Sequence, residues 1–306
     1  MTLQNILVIK LSALGDFIIA LGAMKAIKHH HPNAKISLLT TAPFKGIAEQ
    51  SGYFDEIFID PRAKVFQFSK WRTLTKILNK KWHRVYDLQC NDRTGIYYHL
   101  MRPKPEWVGT AFGASHRNKN PNRKEGLALD RHRQTLSLGG INSIEIDTLD
   151  WMNDDISQFN IPKPYALIVP GCAPSRPEKK WPAEQYGEIA QYFITKNITP
   201  VIIGSNHEKN IADVITSHCP DAVNLVSKTS LFSIASLARE ASISIGNDTG
   251  PMHIIGPTGC KTLALFSNSS DPQKHLPLGS NVAFIQEADI NKMRIEAVIK
   301  KINSLL

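Results

Sequence analysis

The sequence predicts an α/β protein of two doubly wound parallel-sheet domains facing a cleft. Three observations lead there. Short apolar runs alternate with helix-length stretches, as in parallel sheets covered by helices on both faces. The alternation stops in a polar segment with two prolines, NDDISQFNIPKPY (153–165), and then begins again. The length of 306 residues suits two domains of ordinary size. The expected domains are 1–155 and 156–306, with the last helix free to pack back on the first.

In the first half, NILVIK (5–10), KISLLT (35–40), DEIFID (55–60), RVYDL (84–88) and EWVG (106–109) read as strands. Their apolar residues run on without alternation, as expected for strands buried on both faces. Helical patterns cover about 16–30, 43–51, 71–81 and 92–101. In the second half, strands are expected at 165–169, 199–203, 222–226, 242–245, 261–266 and 281–285. Helices are expected at 182–196, 207–217, 230–239, 250–255 and about 289–304. Two α/β halves joined by a linker create a cleft, where ligands of such proteins bind.

Composition narrows the function. Hydrophobic residues make up 42%, enough for packed cores and against wholesale disorder. Lys and Arg exceed Asp and Glu by 36 − 27 = 9, which favours anionic partners. Much of that excess lies in 62–84 and in HRNKNPNRKEGLALDRHR (116–133). The second stretch reads as a solvated loop entering a helix, or as a surface turned to an acceptor or a membrane. No zinc finger, RNP-like motif or helix-turn-helix supports nucleic-acid binding, so no nucleic-acid partner is expected. The four cysteines lie far apart with no CxxC, which fits a reducing compartment and argues against a zinc site. His29–His31 close a helix before Pro32, where the dipole favours them, and no metal role is assigned. Lys10 and Asp16 interrupt the first apolar run, which is therefore neither a signal peptide nor a membrane span. A cytoplasmic monomer is expected, with room for peripheral contact at the inner membrane.

Three stretches carry chemistry. Ser12-Ala13-Leu14-Gly15-Asp16 follows the first strand, beyond whose carboxyl end functional groups gather. Asp16 suits a helix cap, and it also suits a base pointing into a cleft; the two roles are compatible. Gly246-Asn247-Asp248-Thr249-Gly250-Pro251 closes a β-rich run and opens a helix. The N–H groups of Thr249, Gly250 and Met252 are expected there as an anion site suited to a diphosphate. Asp248 could cap that helix or accept from ligand hydroxyls. His253 lies one turn on and reads equally as structural or ligand-facing. PGCAPSRPEKKWPAEQYGEIA (170–190) places Ser175, Arg176, Lys179 and Lys180 in a strand-end loop, where cations can neutralise a leaving diphosphate. Glu208, in the next strand-end loop, reads as first-turn stabilisation or a hydroxyl acceptor. The chain lacks GxGxxG and GxxxxGK[ST], which disfavours a nicotinamide enzyme or a P-loop NTPase, and no cofactor is expected.

Taken in order, SALGD, KKWP and NDTGPMH resemble the ADP-heptose:lipopolysaccharide heptosyltransferase family (glycosyltransferase family 9), across nearly the whole chain. The resemblance implies the GT-B fold of two Rossmann-like domains. It implies inverting, metal-independent transfer of heptose from ADP-heptose to the lipopolysaccharide inner core. By the same resemblance, Asp16 matches the general base and Lys179 the residue that stabilises the departing diphosphate, with Lys180 as the alternative. Ser175, Lys180, Glu208, Asp248, Thr249, Gly250 and His253 fall on the donor side. Ser12, Gly15, Gln89 and Arg93 fall on the acceptor side, the last two from DLQCNDRTG (87–95). The early helix stop at Gly256-Pro257 and the proline-rich 172–178 depart from the family pattern. Both touch the donor pocket, and they leave open another nucleotide sugar serving another surface glycan or glycoprotein.

Overall fold

The computed structural model describes residues 3–306 and divides into two compact units, Met1–Asp147 and Thr148–Leu306. The first unit runs β1 (Gln4–Ile9), α1 (Leu14–His30), β2 (Ala34–Thr40), α2 (Lys45–Ser51), β3 (Glu56–Ile59) and α3 (Phe68–Leu78). It continues with β4 (Arg84–Asp87), α4 (Asp92–Leu100), β5 (Glu106–Gly109), β6 (His116–Arg117) and α5 (Ala128–Ser137). Its sheet has the order β3-β2-β1-β4-β5-β6 with every pairing parallel. The order reverses between β1 and β4, so the switch point of the unit lies beyond the ends of those two strands.

The second unit runs β7 (Tyr165–Val169), α6 (Ala183–Thr195), β8 (Thr199–Ile202), α7 (Lys209–His218), β9 (Val223–Asn224) and α8 (Leu231–Glu240). It continues with β10 (Ile243–Asn247), α9 (Gly250–Ile255), β11 (Thr262–Ser267), α10 (Pro272–His275), β12 (Val282–Glu287) and α11 (Ile295–Leu305). Its sheet order, β12-β11-β10-β7-β8-β9, repeats the winding of the first, again all parallel. The switch point here lies between β7 and β10. This is the doubly wound, twice-repeated α/β architecture that the alternating pattern predicts.

Sequence explains why these elements form. Ile6–Ile9 and Tyr165–Val169 are buried throughout, so the central strands satisfy both sheet faces with apolar side chains. Helix α1 buries every residue from Phe17 to Met24, and Gly22 allows the closest approach: a Cβ there would meet the Glu145 carbonyl oxygen at 2.1 Å. Leu74 and Leu78 of α3 pack with Leu7, Ile9, Trp82 and Trp107 in the first core. Val298 and Ile302 of α11 join Trp181, Phe193 and Ile245 in the second core. Among the described residues, no helix is long and apolar enough to cross a membrane.

Several boundaries differ from the sequence expectation. Helix α3 begins at Phe68, not 71, and ends at Leu78, because the chain turns through Lys80 N–H···O Ile77 before Trp82 is buried. Within the basic stretch 116–133, two residues pair as β6 before the chain reaches α5. Strand β9 is only two residues long.

Candidate functional site

In the first unit, the switch point is closed by one side chain. Gln89 Oε1, from the loop after β4, accepts from Leu11 N at 2.8 Å and from Ser12 N at 3.2 Å. Thr41 Oγ1 donates to Leu11 O at 2.9 Å from the other side. The chain after β1 is thereby fixed before it enters α1. Asp16 is the third residue of that helix, and its Oδ2 lies 3.5 Å from Ala13 N. It therefore reaches back from the third helical position to the N–H of the capping residue Ala13, at the weak end of hydrogen-bonding distance.

Asp16 also lines a pocket of about 190 Å³. Its walls include Lys10, Gln89, Arg123, Lys124, Arg131 and His132. A carboxylate thus faces a wall of cations, and Arg131 Nε is buried with no partner in the protein. Such a donor calls for an acceptor from outside. Lys10 is 5% exposed, and its Nζ donates to Leu88 O at 3.4 Å. Burial lowers the pKa of Lys10, while Asp16 is the foremost charge opposing that shift. Burial depresses His132 to about 3, with Lys10 and Arg131 pushing the same way, so this imidazole is neutral at pH 7. At the end of β4, burial raises Asp87 to about 6 against its hydrogen bonds from Cys90 N, Thr94 and Gln89 N.

The other residues expected on this side lie elsewhere. Ser12 and Gly15 border the same turn without lining the pocket. Arg93 does not line it either. Its Nη1 donates to Tyr97 Oη at 2.8 Å and its Nη2 to Ala63 O at 2.9 Å, so its guanidinium supports the chain between β3 and α3.

In the second unit, Asn247 organises the switch point. Its Oδ1 accepts from Trp181 N at 3.1 Å and from Tyr186 Oη at 2.9 Å, and its Nδ2 donates to Pro170 O at 2.7 Å. The end of β7, the end of β10 and the start of α6 are tied together by one buried amide. Lys179 Nζ then lies 2.5 Å from Asp248 Oδ2, and Ser270 Oγ donates to the same oxygen at 2.5 Å. Glu208 is buried, accepting from Ser205 N at 2.8 Å and Ser205 Oγ at 2.7 Å through Oε2. Gly171 makes room for it: a Cβ there would lie 2.8 Å from the Glu208 carboxyl carbon.

The structure corrects one expectation about this end. Met252 N is not free for an anion, because it donates to Thr249 O at 3.1 Å within the first turn of α9. Thr249 and Gly250 stand half-buried at that turn, and His253 is 7% exposed inside it. Ser175 is exposed. Lys180 N donates to Pro177 O at 3.0 Å, and Lys180 is the foremost charge opposing the burial that raises the Cys172 thiol. Lys179, Asp248 and Ser270 are thus joined directly; Glu208 and Gly171 form a second contact beside them. Among the described residues, no group of three His, Cys, Asp or Glu could hold a metal ion.

A family model described as glycosyltransferase family 9 (heptosyltransferase) matches residues 129–302. The chain belongs to that family. Lipooligosaccharide heptosyltransferase 2 of Haemophilus influenzae is 29% identical over 139 residues, covering 43% of this chain and 40% of that protein. The match therefore spans well under half of that relative. Lipopolysaccharide core heptosyltransferase OpsX of the same organism is 23% identical over 308 residues, covering 94% of this chain and 86% of that protein. The fold is that of E. coli ADP-heptose lps heptosyltransferase II, with TM-score 0.76 and 18% identity over 99% of this chain and 98% of that one.

For this family 9 chain, two sets of site residues escaped the motif reading. Arg123, Lys124, Arg131 and His132 left a signal, the charge cluster at 116–133, but nothing in that cluster says it faces Asp16. Asn247 and Lys10 were visible beside the motifs they serve. Their partners come from distant parts of the chain.

Proposed function

We propose that the protein transfers heptose from ADP-heptose to the inner core of lipopolysaccharide, with inversion and without a metal. The observation that carries this reading is Asp16 lining a cation-walled pocket in a chain of glycosyltransferase family 9. The acceptor core is anionic. Lys10, Arg123, Lys124 and Arg131 supply the complementary charge, with Ser12, Gly15 and Gln89 shaping the turn that carries Asp16. Asp16 takes the proton of the attacking acceptor hydroxyl as that oxygen adds to the anomeric carbon. The C1–O bond to the diphosphate breaks on the opposite face, and ADP leaves with the electron pair.

The second unit holds the donor. Lys179 meets the departing diphosphate, pre-oriented by Asp248, with Lys180 and Ser175 in the same loop. Thr249, Gly250 and His253 line the turn after β10, and Glu208 accepts from nucleoside hydroxyls. The diphosphate is already a good leaving group, so positioning and charge carry most of the work. The protein acts in the cytoplasm as a monomer, and a lipid-linked acceptor favours peripheral contact with the cytoplasmic face of the inner membrane.

The test is a turnover assay with ADP-heptose against truncated core acceptors, beside thermal shifts with ADP, UDP and GDP. ADP should stabilise the protein most, and product should carry the inverted anomer. Stronger stabilisation by UDP or GDP would assign a different nucleotide sugar.

A further inference from the structure

The chain leaves β11 through Ser267-Asn268-Ser269-Ser270, a turn closed by Ser270 N donating to Ser267 O at 3.2 Å. Short polar residues suit such a turn and by themselves carry no function. Ser267 Oγ stays within it, 2.7 Å from Ser269 Oγ, whereas Ser270 Oγ leaves it for Asp248 Oδ2. Ser270 is 5% exposed and Asp248 7%, so this bond is made away from bulk water.

The serine turn is held from two sides. Gln286 Nε2 of β12 donates to Ser270 O at 3.3 Å, and Arg176 Nη2 donates to Ser269 O at 2.7 Å. Arg176 O in turn accepts from Lys179 N at 3.1 Å. The short turn that carries Lys179 is therefore also the one that grips the chain beside Ser270.

An ammonium and a hydroxyl thus converge on one oxygen: Lys179 Nζ and Ser270 Oγ each lie 2.5 Å from Asp248 Oδ2. The proposed chemistry needs the ammonium elsewhere, on the donor's diphosphate. A buried carboxylate stripped of its cation opposes that move. The hydroxyl lessens the opposition, because a hydrogen bond to an ionised acceptor is among the stronger ones, and a neutral group is drawn far less to the diphosphate.

We propose that Ser270 is a positioning residue for donor binding: its hydroxyl stays on Asp248 Oδ2 while Lys179 Nζ turns from that oxygen to the diphosphate, so the ammonium is released without stranding the carboxylate. No bond is made or broken and no proton moves in this exchange. The inference rests on the reading that Lys179 meets the diphosphate, and it adds the group that frees Lys179 to do so.

The experiment uses the full chain, calorimetry with ADP, UDP and GDP, and steady-state kinetics with ADP-heptose. Ser270→Ala should weaken the best-bound nucleoside diphosphate by about tenfold and raise KM for the donor in parallel. Its kcat at saturating donor should stay within about threefold of the parent. Ser270→Thr keeps the hydroxyl and should bind like the parent. Ser270→Cys, similar in size with a weak donor, should fall in the same direction as Ser270→Ala and serves if that variant does not fold. In the Asp248→Asn background the carboxylate that retains Lys179 is gone, and Ser270→Ala should then change affinity by less than about twofold. A serine that merely shapes the turn would cost the same in both backgrounds. Parent-like affinity in both Ser270→Ala and Ser270→Cys, an equal loss in the Asp248→Asn background, or a fall in kcat with affinity unchanged each overturn the proposal. A parent that binds none of the three nucleotides overturns this inference together with the transfer reading. A parent that binds UDP or GDP best overturns only the choice of ADP, and the serine comparison is then read with that nucleotide.

Discussion

Lys179 Nζ lies 2.5 Å from Asp248 Oδ2, joining the loop before α6 to the end of β10. Both groups are largely buried, so each depends on the other for compensation of its charge. The pair places an ammonium group where the diphosphate is proposed to leave, and holds it there before the donor arrives.

Two consequences of this pair can be separated. Lys179→Ala should lower kcat by about 10²–10³-fold through loss of the positioned charge. It should also destabilise the fold by about 3 kcal/mol, because Asp248 is left buried and unpaired. Adding Asp248→Asn should restore much of the stability, read by urea unfolding, without restoring turnover. Lys180→Ala should change kcat only a few-fold. The reverse ranking would move the diphosphate role to Lys180.

Asp16→Asn keeps the shape of the turn and removes the proton acceptor. Turnover should fall by about 10²–10⁴-fold. Affinity for ADP, measured by calorimetry, should be unchanged, because the nucleotide is assigned to the second unit. Near-parent turnover in this variant would end the base assignment.

Asn247 satisfies Trp181 N, Tyr186 Oη and Pro170 O from one buried side chain. Asn247→Ala leaves those groups without partners. The expected loss is on the order of 1–3 kcal/mol for each group left unmet, less what water can repair. The urea midpoint should drop with an unchanged m-value. A midpoint within error of the parent would show the clamp to be dispensable.

The pH dependence of stability has a definite sign. Burial holds His132 at about 3, below its ordinary 6.5, so the unfolded chain takes up a proton through that window while the folded chain does not. Stability therefore falls as pH drops below 6.5, by up to about 1.4 kcal/mol per pH unit for this residue. His31, lowered to about 4 chiefly by burial, acts in the same sense. Asp87 acts oppositely between about 6 and 3.8, since its folded form binds the proton first. The clean measurement is a difference: His132→Gln against the parent, by urea unfolding from pH 7 to 4.5. The parent should lose stability faster on acidification, and parallel curves would refute the assignment.

Much of the fold was legible because a buried parallel strand is a continuous apolar run, and Ile6–Ile9, Tyr165–Val169 and Thr262–Ser267 all read that way. Strand β6 is not resolvable as such, since two residues carry no period, and the strand expected at 222–226 forms only over Val223–Asn224. The start of α3 was obscured by Phe68, an exposed apolar residue on the outer side of its first turn. Asp16 and the 248–250 turn announced themselves as charge and glycine at strand ends. Lys10 was read only as an interruption of an apolar run; that it lines the same pocket as Asp16 depends on where β1, β4 and α5 converge. Arg93 is expected at the acceptor from the resemblance of DLQCNDRTG (87–95) to the family's acceptor-side loop, yet its guanidinium donates to Tyr97 Oη and Ala63 O. The partners of Asn247 stand 61 to 77 positions away in the chain, beyond any local pattern.

The two sheets share one strand order, and each gathers its own polar groups at the reversal of that order. Residues 10–16 after β1 and 170–180 after β7 are therefore counterparts, one stretch ending in an acid and the other carrying bases. On the proposed assignment, diversification of such a chain can proceed by halves: drift in the loops of one wound sheet would alter which sugar chain is extended, while the other goes on reading the same nucleotide.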